Sequence, residues 1–413
     1  MAVTNNKLIG AVGLAVLSVV LAWRVLVTGL AEYYVGRDTP EADAGALRWR
    51  SGQSVALYRQ GLALAGRDPA AAMRLYQAAA WANPTDALVY LALAELQAGL
   101  GQPSVAIALA EIADALGPMR TPVLARSAAF WLAQGRPDRA LARWDILLRN
   151  RSGTAGQLYS LLLRWVENAE ARPLLRSLLA DPPPWWDQFF AYVAAKAVRL
   201  EAVAFLYRNR ERSGKPPGAA EQQAYLERLW REGHWLETYL AWLSGLDERQ
   251  QQGLGNIYNG GFELPVTGLG FDWRISAPRG VSVEIAETYG TRDGKALHVV
   301  FDGQRVHFRH VRQPLYLEPG HYRLQGRVRP DGLRAERGLR WTVRCGESGD
   351  QLLAESPSFT GSDDWQPFAQ EFTVPAADCP VQWLRLELEG RAELDFEAQG
   401  GIWFDDLAIG RQD

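Results

Sequence analysis

Apolar residues recur along this chain at three different spacings, and each spacing predicts a different kind of structure. From Leu8 to Trp23 the stretch "LIGAVGLAVLSVVLAW" carries no charge, and after Arg24 the apolar text resumes as "VLVTGLAEYYV". A helix over residues 8–30 satisfies the roughly 20 apolar residues that a bilayer crossing needs. Arg24 beside Trp23 suits the headgroup layer, with Tyr33 and Tyr34 just outside it. Gly29-Leu30-Ala31 also reads as the cleavage site of a signal peptide. Arg24 and Leu26 interrupt the end that such a peptide requires, so the expectation is an uncleaved anchor over residues 1–35.

From about 45 to 250 the apolar spacing is three to four, the period of a helix. Aligned at 34 residues, Ala72, Ala106 and Ala140 share a column. Ala79, Ala113 and Leu147 share another, as do Ala94 with Ala128, Gly101 with Gly135 and Pro84 with Pro118; Ser152 breaks that last column. Small residues let paired helices approach, Gly ends a helix and Pro opens the next connection. The segment "DALVYLALAELQAGLGQPSVAIALAEIADALGP" resembles a tetratricopeptide repeat, at that family's period. The likeness holds for about three units, from Ser54 to Asn150, and loses register beyond Leu158. It implies an array that holds a protein partner. Trp81, Trp131, Trp144 and Trp165 are expected to pack inside it, the commonest use of so large an aromatic.

After Asn256 the spacing becomes two, the period of a strand. In "HYRLQGRVRP" Tyr322, Leu324, Gly326 and Val328 alternate with arginines and Gln325. In "LRWTVRC" Leu339, Trp341, Val343 and Cys345 alternate with Arg340, Thr342 and Arg344. "QWLRLELE" sets Leu384, Leu386 and Leu388 against Trp383, Arg385, Glu387 and Glu389. Turn text separates the runs, so residues 256–413 predict an antiparallel sandwich. The expected organisation is therefore an anchor over 1–35, helical repeats over 45–250 and an all-β domain over 256–413.

Composition changes this picture little. With 44 basic and 47 acidic residues the net charge is −3, and no basic excess points to nucleic acid. Trp, at 16, exceeds both 14 Tyr and 13 Phe, which suits helix packing and sugar stacking alike. The two cysteines, Cys345 and Cys379, form a plausible disulfide pair for a domain outside the cytoplasm. Alternation points Cys345 inward with Trp341, and Cys379 stands in a turn before the next strand. Lys7 precedes the apolar span whereas Arg24, Arg37, Arg48 and Arg50 follow it, so counting charges does not favour an inside amino terminus. The cysteine pair and the character of the last domain outweigh that count. The bulk is expected in the periplasm, on a single-pass inner-membrane anchor.

The order of motifs in the last domain also carries a resemblance. "NGGFE", Trp273, "GKALHV", "LEPGHYRLQGRVR", "WQPFAQEFTVP" and "IWFDDLAIG" follow one another across residues 256–413. This order resembles jelly-roll carbohydrate-binding modules of the galactose-binding-like class. In that family an acid on the first strand and an Asp on the last strand share a structural Ca²⁺. The matching positions are Glu263 and Asp405, preferred over Asp406, with Asp293 as a loop contributor. Hard oxygen donors suit this ion; the bland alternative is that Glu263 caps a turn or pairs with an arginine. The polar stripes of the three alternating strands, laid side by side, would present a glycan-facing set of Arg327, Arg340, Arg344, Trp383, Arg385 and Glu387. Indole faces stack on sugars and planar guanidinia pair with hydroxyls or with an anionic polysaccharide. A solvated face laced with salt bridges is the competing reading, and the sequence favours it. His307, Arg309 and His310 lack metal-ligand companions and read as loop or edge strand.

No phosphate loop, Ser-His-Asp arrangement or paired-His zinc motif occurs. Asp363-Asp364 and Asp405-Asp406 are neighbours that a strand points to opposite faces, unlike glycosidase carboxylates. The expectation is a non-enzymatic, membrane-anchored envelope adaptor, its repeats binding a protein and its sandwich a glycan, by architecture in exopolysaccharide assembly or export. The alternative is a scaffold whose sandwich makes protein contacts without sugar. A glycosidase without a signature ranks last.

Overall fold

A computed structural model describes residues 2–150, 153, 155–291, 294–346 and 351–412. It divides into two compact units, residues 1–178 with 182–185, and residues 179–181 with 186–413.

The first unit is helical. Helix α1 (Ala2–Val35) contains the one stretch among the described residues long and apolar enough to cross a membrane, Val12–Val35, with mean hydropathy 2.1. A signal sequence shares that length and composition. The last turns of α1 are packed, however: Ala31 is fully buried, and Val35 joins Ala46 and Ala56 in a small core. These alanines lie on α2 (Pro40–Trp49) and α3 (Ser54–Leu64), and Gln53 donates to Glu32 at 3.0 Å.

Helix pairs then repeat. Helices α4 (Pro69–Ala82), α6 (Pro103–Leu116) and α8 (Pro137–Arg149) each open on proline, at the spacing of the sequence columns. Their partners are α3, α5 (Ala87–Gly99) and α7 (Thr121–Ala133). Ala72, Ala106 and Ala140 have no exposure at all, nor have Ala79, Ala113, Ala94 and Ala128. A single methyl is what fits where two helices cross closely. Gly101 and Gly135 take φ of 73° and 66°, and the next residue's N–H reaches back to Gln97 and Trp131. Both pairs thus close with the same left-handed turn that favours Gly. Trp131 and Trp144 are buried and Trp165 lies half-buried against Trp144, ring centroids 5.2 Å apart. Trp81 departs from expectation at 88% exposure. It follows Ala79 by two positions, which turns it to the opposite side of α4. Helices α9 (Ala155–Glu167) and α10 (Arg176–Ala180) follow.

The second unit joins helices to the sandwich. Helices α11 (Trp186–Lys196), α12 (Leu200–Glu211) and α13 (Ala219–Arg231) are tied by a buried polar centre. Glu221, 2% exposed, accepts from Arg210 at 3.1 Å and from the Trp186 indole at 2.7 Å. Helices α14 (Trp235–Ser244) and α15 (Glu248–Gln251) complete the helical part. The period of the sequence changes at Asn256, but the packing does not divide there. Leu226 and Trp242 from α13 and α14 share one core with Tyr258, Leu264, Phe271 and Val381. Tyr239 stacks on Tyr316, centroids 5.4 Å apart, and Trp230 stands edge-on to Trp383 at 5.6 Å.

The sandwich has two antiparallel five-stranded sheets, β1-β4-β9-β6-β7 and β2-β3-β10-β5-β8. Strands β1 (Arg274–Ile275), β4 (Val311–Leu315), β9 (Gln382–Leu388), β6 (Leu339–Cys345) and β7 (Gln351–Glu355) form the first. Strands β2 (Val281–Glu287), β3 (Lys295–Arg305), β10 (Glu397–Gln412), β5 (Gly320–Ala335) and β8 (Gln366–Val374) form the second. Between them lie Trp273, Trp341, Phe262, Phe301 and Phe404, among the largest fully buried side chains. The alternation read from the sequence selects these faces: Leu339, Trp341, Val343 and Cys345 are buried along β6. Cys345 and Cys379 are disulfide-bonded, pinning the end of β6 to the turn before β9.

"NGGFE" is a turn rather than a strand. Asn259 and Phe262 have φ of 50° and 59°, left-handed values that no strand uses. The Asn259 amide closes the loop by donating to the Leu264 carbonyl and accepting from its N–H. Gly260 passes so near β10 that a Cβ there would stand 1.9 Å from the Leu407 carbonyl oxygen, and its own carbonyl accepts from Leu407 N–H.

Candidate functional site

Strand pairing decides which of the expected glycan-facing residues meet. Arg340 pairs with Glu387, Thr342 with Arg385 and Arg344 with Trp383, so these side chains share the outer face of the first sheet. Arg327 does not join them. It lies on β5 in the second sheet, over the Trp365 ring and 3.8 Å from Asp406. The expected stripe of six is therefore five and one, because β5 is not a neighbour of β6 or β9.

On the first sheet the β6 side is neutralised. Arg344 pairs with Glu387 at 2.9 Å, while Arg340 pairs with Glu355 at 2.7 Å and with Glu389. For Arg340, Arg344 and Glu387 the salt-bridge reading holds. Trp383 is not the exposed platform expected of it, at 3% exposure. Trp230 of α13 covers it, and the guanidinia of Arg274, Arg312 and Arg385 lie 5.0–5.7 Å from its ring centre. An indole face attracts such cations, which helps three of them gather.

Of those arginines only Arg385 was expected on a glycan-facing surface; with Arg274 and Arg312 it defines a second region. Arg274 pairs with Arg312 across β1 and β4, and Arg312 with Arg385 across β4 and β9, one row on the outer face. Beside the row the loop before β4 brings Arg309 and His310. Together they line a cavity of about 630 Å³ with Thr267, Gly268 and Ser276. Burial, then the neighbouring Arg312 charge, pushes the Arg274 pKa down; burial likewise lowers that of Arg385. His310 is held below the usual imidazole range by burial and then by Arg309 and Arg312. Among the described residues no carboxylate forms an ion pair with Arg274, Arg309 or Arg312. A second cavity, of about 530 Å³, continues from Arg274 and Gly268 to Gln223, Glu227, Trp230 and Thr238. Strand β1 has only two residues, too short for alternation to mark Arg274 in the sequence. Arg312 sits in "VRQPL", where a buried Gln and Pro blur the pattern.

The expected metal position has a different character. Asp405 is 2% exposed, its Oδ1 accepts from Asp406 N–H at 2.7 Å, and its Oδ2 is buried without a hydrogen bond. Its pKa is pushed up to about 6, first by burial, with the Asp406 and Glu263 charges acting in the same direction. Glu263 accepts from Lys295 N–H at 3.0 Å and lines a pocket with Asp406 and Gly261. Asp406 takes φ of 50° at a bulge in β10, which sets both acids toward the Gly260–Gly261 turn. Asp293 lies outside the described residues. Among the described residues no group of three or more His, Cys, Asp or Glu is arranged to hold a metal ion.

No protein-family model matches the chain, and no curated protein does. Among solved structures, the chain is similar to a CBM4 module at 18% identity, covering 38% of this chain and 99% of that one, with a TM-score of 0.29. It is similar to the CBM22-1 xylan-binding domain of a Paenibacillus barcinonensis protein at 16% identity, over 37% of this chain and 91% of that one, with a TM-score of 0.25. MamA matches at 20% identity over 32% of this chain and 79% of its own, with a TM-score of 0.24. Values this low establish neither a family nor an activity, and function has to be read from the site itself.

Proposed function

We propose that this protein is a membrane-anchored, non-enzymatic adaptor of the bacterial envelope whose sandwich binds a glycan. The observation that carries the reading is the polar groove over the first sheet, about 630 Å³ and lined by Arg274, Arg312, Arg385, Thr267 and Ser276. Guanidinium and hydroxyl donors of this kind match sugar hydroxyls and carboxylates. The packed end of α1 favours an anchor over a cleaved leader, since Ala31, the end of the candidate cleavage site, is itself fully buried and shielded from a peptidase. The Cys345–Cys379 bond suits an oxidising compartment and hence a periplasmic bulk. The repeated helix pairs, similar in spacing to tetratricopeptide repeats, would hold a protein partner, and exopolysaccharide assembly or export is the setting that joins the two activities.

Ca²⁺ belongs to the same reading. Asp405 and Glu263 would hold it: a buried carboxylate oxygen without a hydrogen bond, next to a second acid, is a donor that a hard cation satisfies. The ion would neutralise the carboxylates and tie the "NGGFE" turn to β10.

Retention of the detergent-solubilised full chain on a panel of neutral and acidic polysaccharides tests the glycan reading. Retention on at least one polymer is expected. No retention on any of them would leave the scaffold reading, in which the sandwich makes protein contacts only.

A further inference from the structure

The end of α1 is not a free tether, and its packing sets where the first helices meet a bilayer. Contacts along α1 fix the levels of α2 and α3. Gln53, at the start of α3, donates to Glu32 at 3.0 Å. Further along α3, Arg59 donates to the Val35 carbonyl at 2.9 Å and pairs with Asp38 at 3.0 Å. Helix α3 therefore runs in the same direction as α1. Helix α2, with Gly45 against the Tyr34 ring, runs back between them. The α2–α3 turn, closed by Gln53 N–H on the Arg50 carbonyl at 3.1 Å, then lies level with Glu32. At 1.5 Å per residue, Glu32 stands only about 3 Å beyond Leu30, where the apolar run ends. The tip displays Arg48, Trp49 and Arg50, all exposed, with Trp49 at 40%. Three acids of this segment are engaged elsewhere, Glu32 by Gln53, and Asp38 and Asp43 by Arg59. An indole between two arginines is a composition that settles at a headgroup layer, the ring in the interface and the guanidinia on phosphate.

We propose that the tip of α2, Arg48-Trp49-Arg50, is a second membrane contact that binds anionic lipid headgroups and fixes the tilt and rotation of α1. This rests on the anchor reading and deepens it. The tilt and rotation of a single spanning helix are set by its interfacial residues and its packed neighbours. With the tip seated, the repeats leave the membrane in one orientation, because α3 (Ser54–Leu64) carries the chain about 16 Å away from the surface. Exposed guanidinia gain about fivefold each from the dense phosphates of an anionic surface, and little from one ion in solution. An acidic protein would have to reach a turn that the anchor places against the bilayer.

The full chain in lipid nanodiscs, with one cysteine introduced at a time, tests the proposal. Cys345 and Cys379 are bonded to each other, so only the new thiol takes a fluorescent label. Ser51→Cys reports the α2–α3 turn, Ser18→Cys the middle of the apolar run and Arg67→Cys the far end of α3, all exposed positions. In bilayers of about one-third phosphatidylglycerol, a quencher carried on the headgroup should reach the label at 51 and spare the label at 67. An acyl-chain quencher should reach the label at 18. Pure phosphatidylcholine, or 0.5 M NaCl, should lower the quenched fraction at 51. Arg48→Gln with Arg50→Gln should lower the ratio of docked to undocked label there about twentyfold, read from fluorescence lifetimes. Trp49→Ala should weaken docking in both lipids alike, since the indole responds to the interface and not to charge. A label at 18 quenched by acyl chains, beside a label at 51 that headgroups never quench, overturns this proposal and leaves the anchor reading intact. Equal quenching at 51 in both lipids, unmoved by the arginine variants, overturns it as well. A label at 18 reached by a water-soluble quencher and not by acyl chains overturns both readings. Relief of quenching at 51 by inorganic phosphate, beyond that of NaCl at equal ionic strength, assigns the arginines to a free anion and overturns the lipid assignment.

Discussion

Replacing Asp405 with Asn tests the buried carboxylate directly. In the folded chain its pKa is raised to about 6 from an ordinary 3.8, chiefly by burial. The folded state therefore holds a proton that the unfolded state releases across this window, and stability falls as pH rises from about 4 through 6. At about 1.4 kcal/mol for each tenfold, the ionised side chain costs about 3 kcal/mol at pH 7 before screening. Water reaching the neighbouring pocket of Glu263 and Asp406 reduces this to ~1–2 kcal/mol. Asn keeps an oxygen for the Asp406 N–H bond while removing the charge. In chelator at pH 7 the variant should match or exceed the wild type by that amount. For a unit of this size the change is roughly 2–8 °C in Tm, and the difference should vanish by pH 4. Adding Ca²⁺ should raise the wild-type Tm and leave Asp405→Asn unmoved. Differential scanning calorimetry with and without Ca²⁺ reads all of this. If chelator leaves the wild type unchanged and the variant melts lower at every pH, the carboxylate is a structural hydrogen-bonding group and the ion reading fails.

Three other perturbations follow from the packing. Glu221→Ala strips the acid from a buried Arg210, 3% exposed, and should cost about 3–5 kcal/mol in urea unfolding of the second unit; under 1 kcal/mol would refute the pairing argument. Cys345→Ser opens a bond closing 34 residues, and chain entropy sets a loss of about 2–4 kcal/mol, read as a lower denaturation midpoint; equal midpoints in oxidised and reduced protein would count against it. Trp230→Ala removes the ring that covers Trp383, at about 3 kcal/mol, and should speed hydrogen exchange across Ala219–Ser244; unchanged protection would show that the helices and the sandwich do not depend on that contact.

How much of the site was legible can be followed residue by residue. Trp383, Arg385 and Glu387 were correctly placed on one outward face by alternation, since a strand's period is a local property. Their fate was not legible. Whether Trp383 meets solvent depends on Trp230, far away in sequence, and whether Arg344 is available depends on Glu387 across the ladder. Arg327 shows the same limit: its alternation was right, and its sheet was not. The arginine row escaped notice because Arg274 and Arg312 come from short strands where no period develops, and pairing register alone puts them together.

By itself the sequence determined the elements and their buried faces. The apolar run of α1, the alanine columns of the helix pairs and the two-residue alternation of the strands follow from periodicity and residue size, which act within a few residues of chain, and the Cys345–Cys379 pairing follows from the chain having only two cysteines. Tertiary structure alone decided the neighbours: which strands share a sheet, that α13 and α14 share a core with the sandwich, and that four arginines line a groove beside it. Those outcomes are set by long-range packing of aromatic surface and by register between strands, and neither leaves a periodic trace in the sequence.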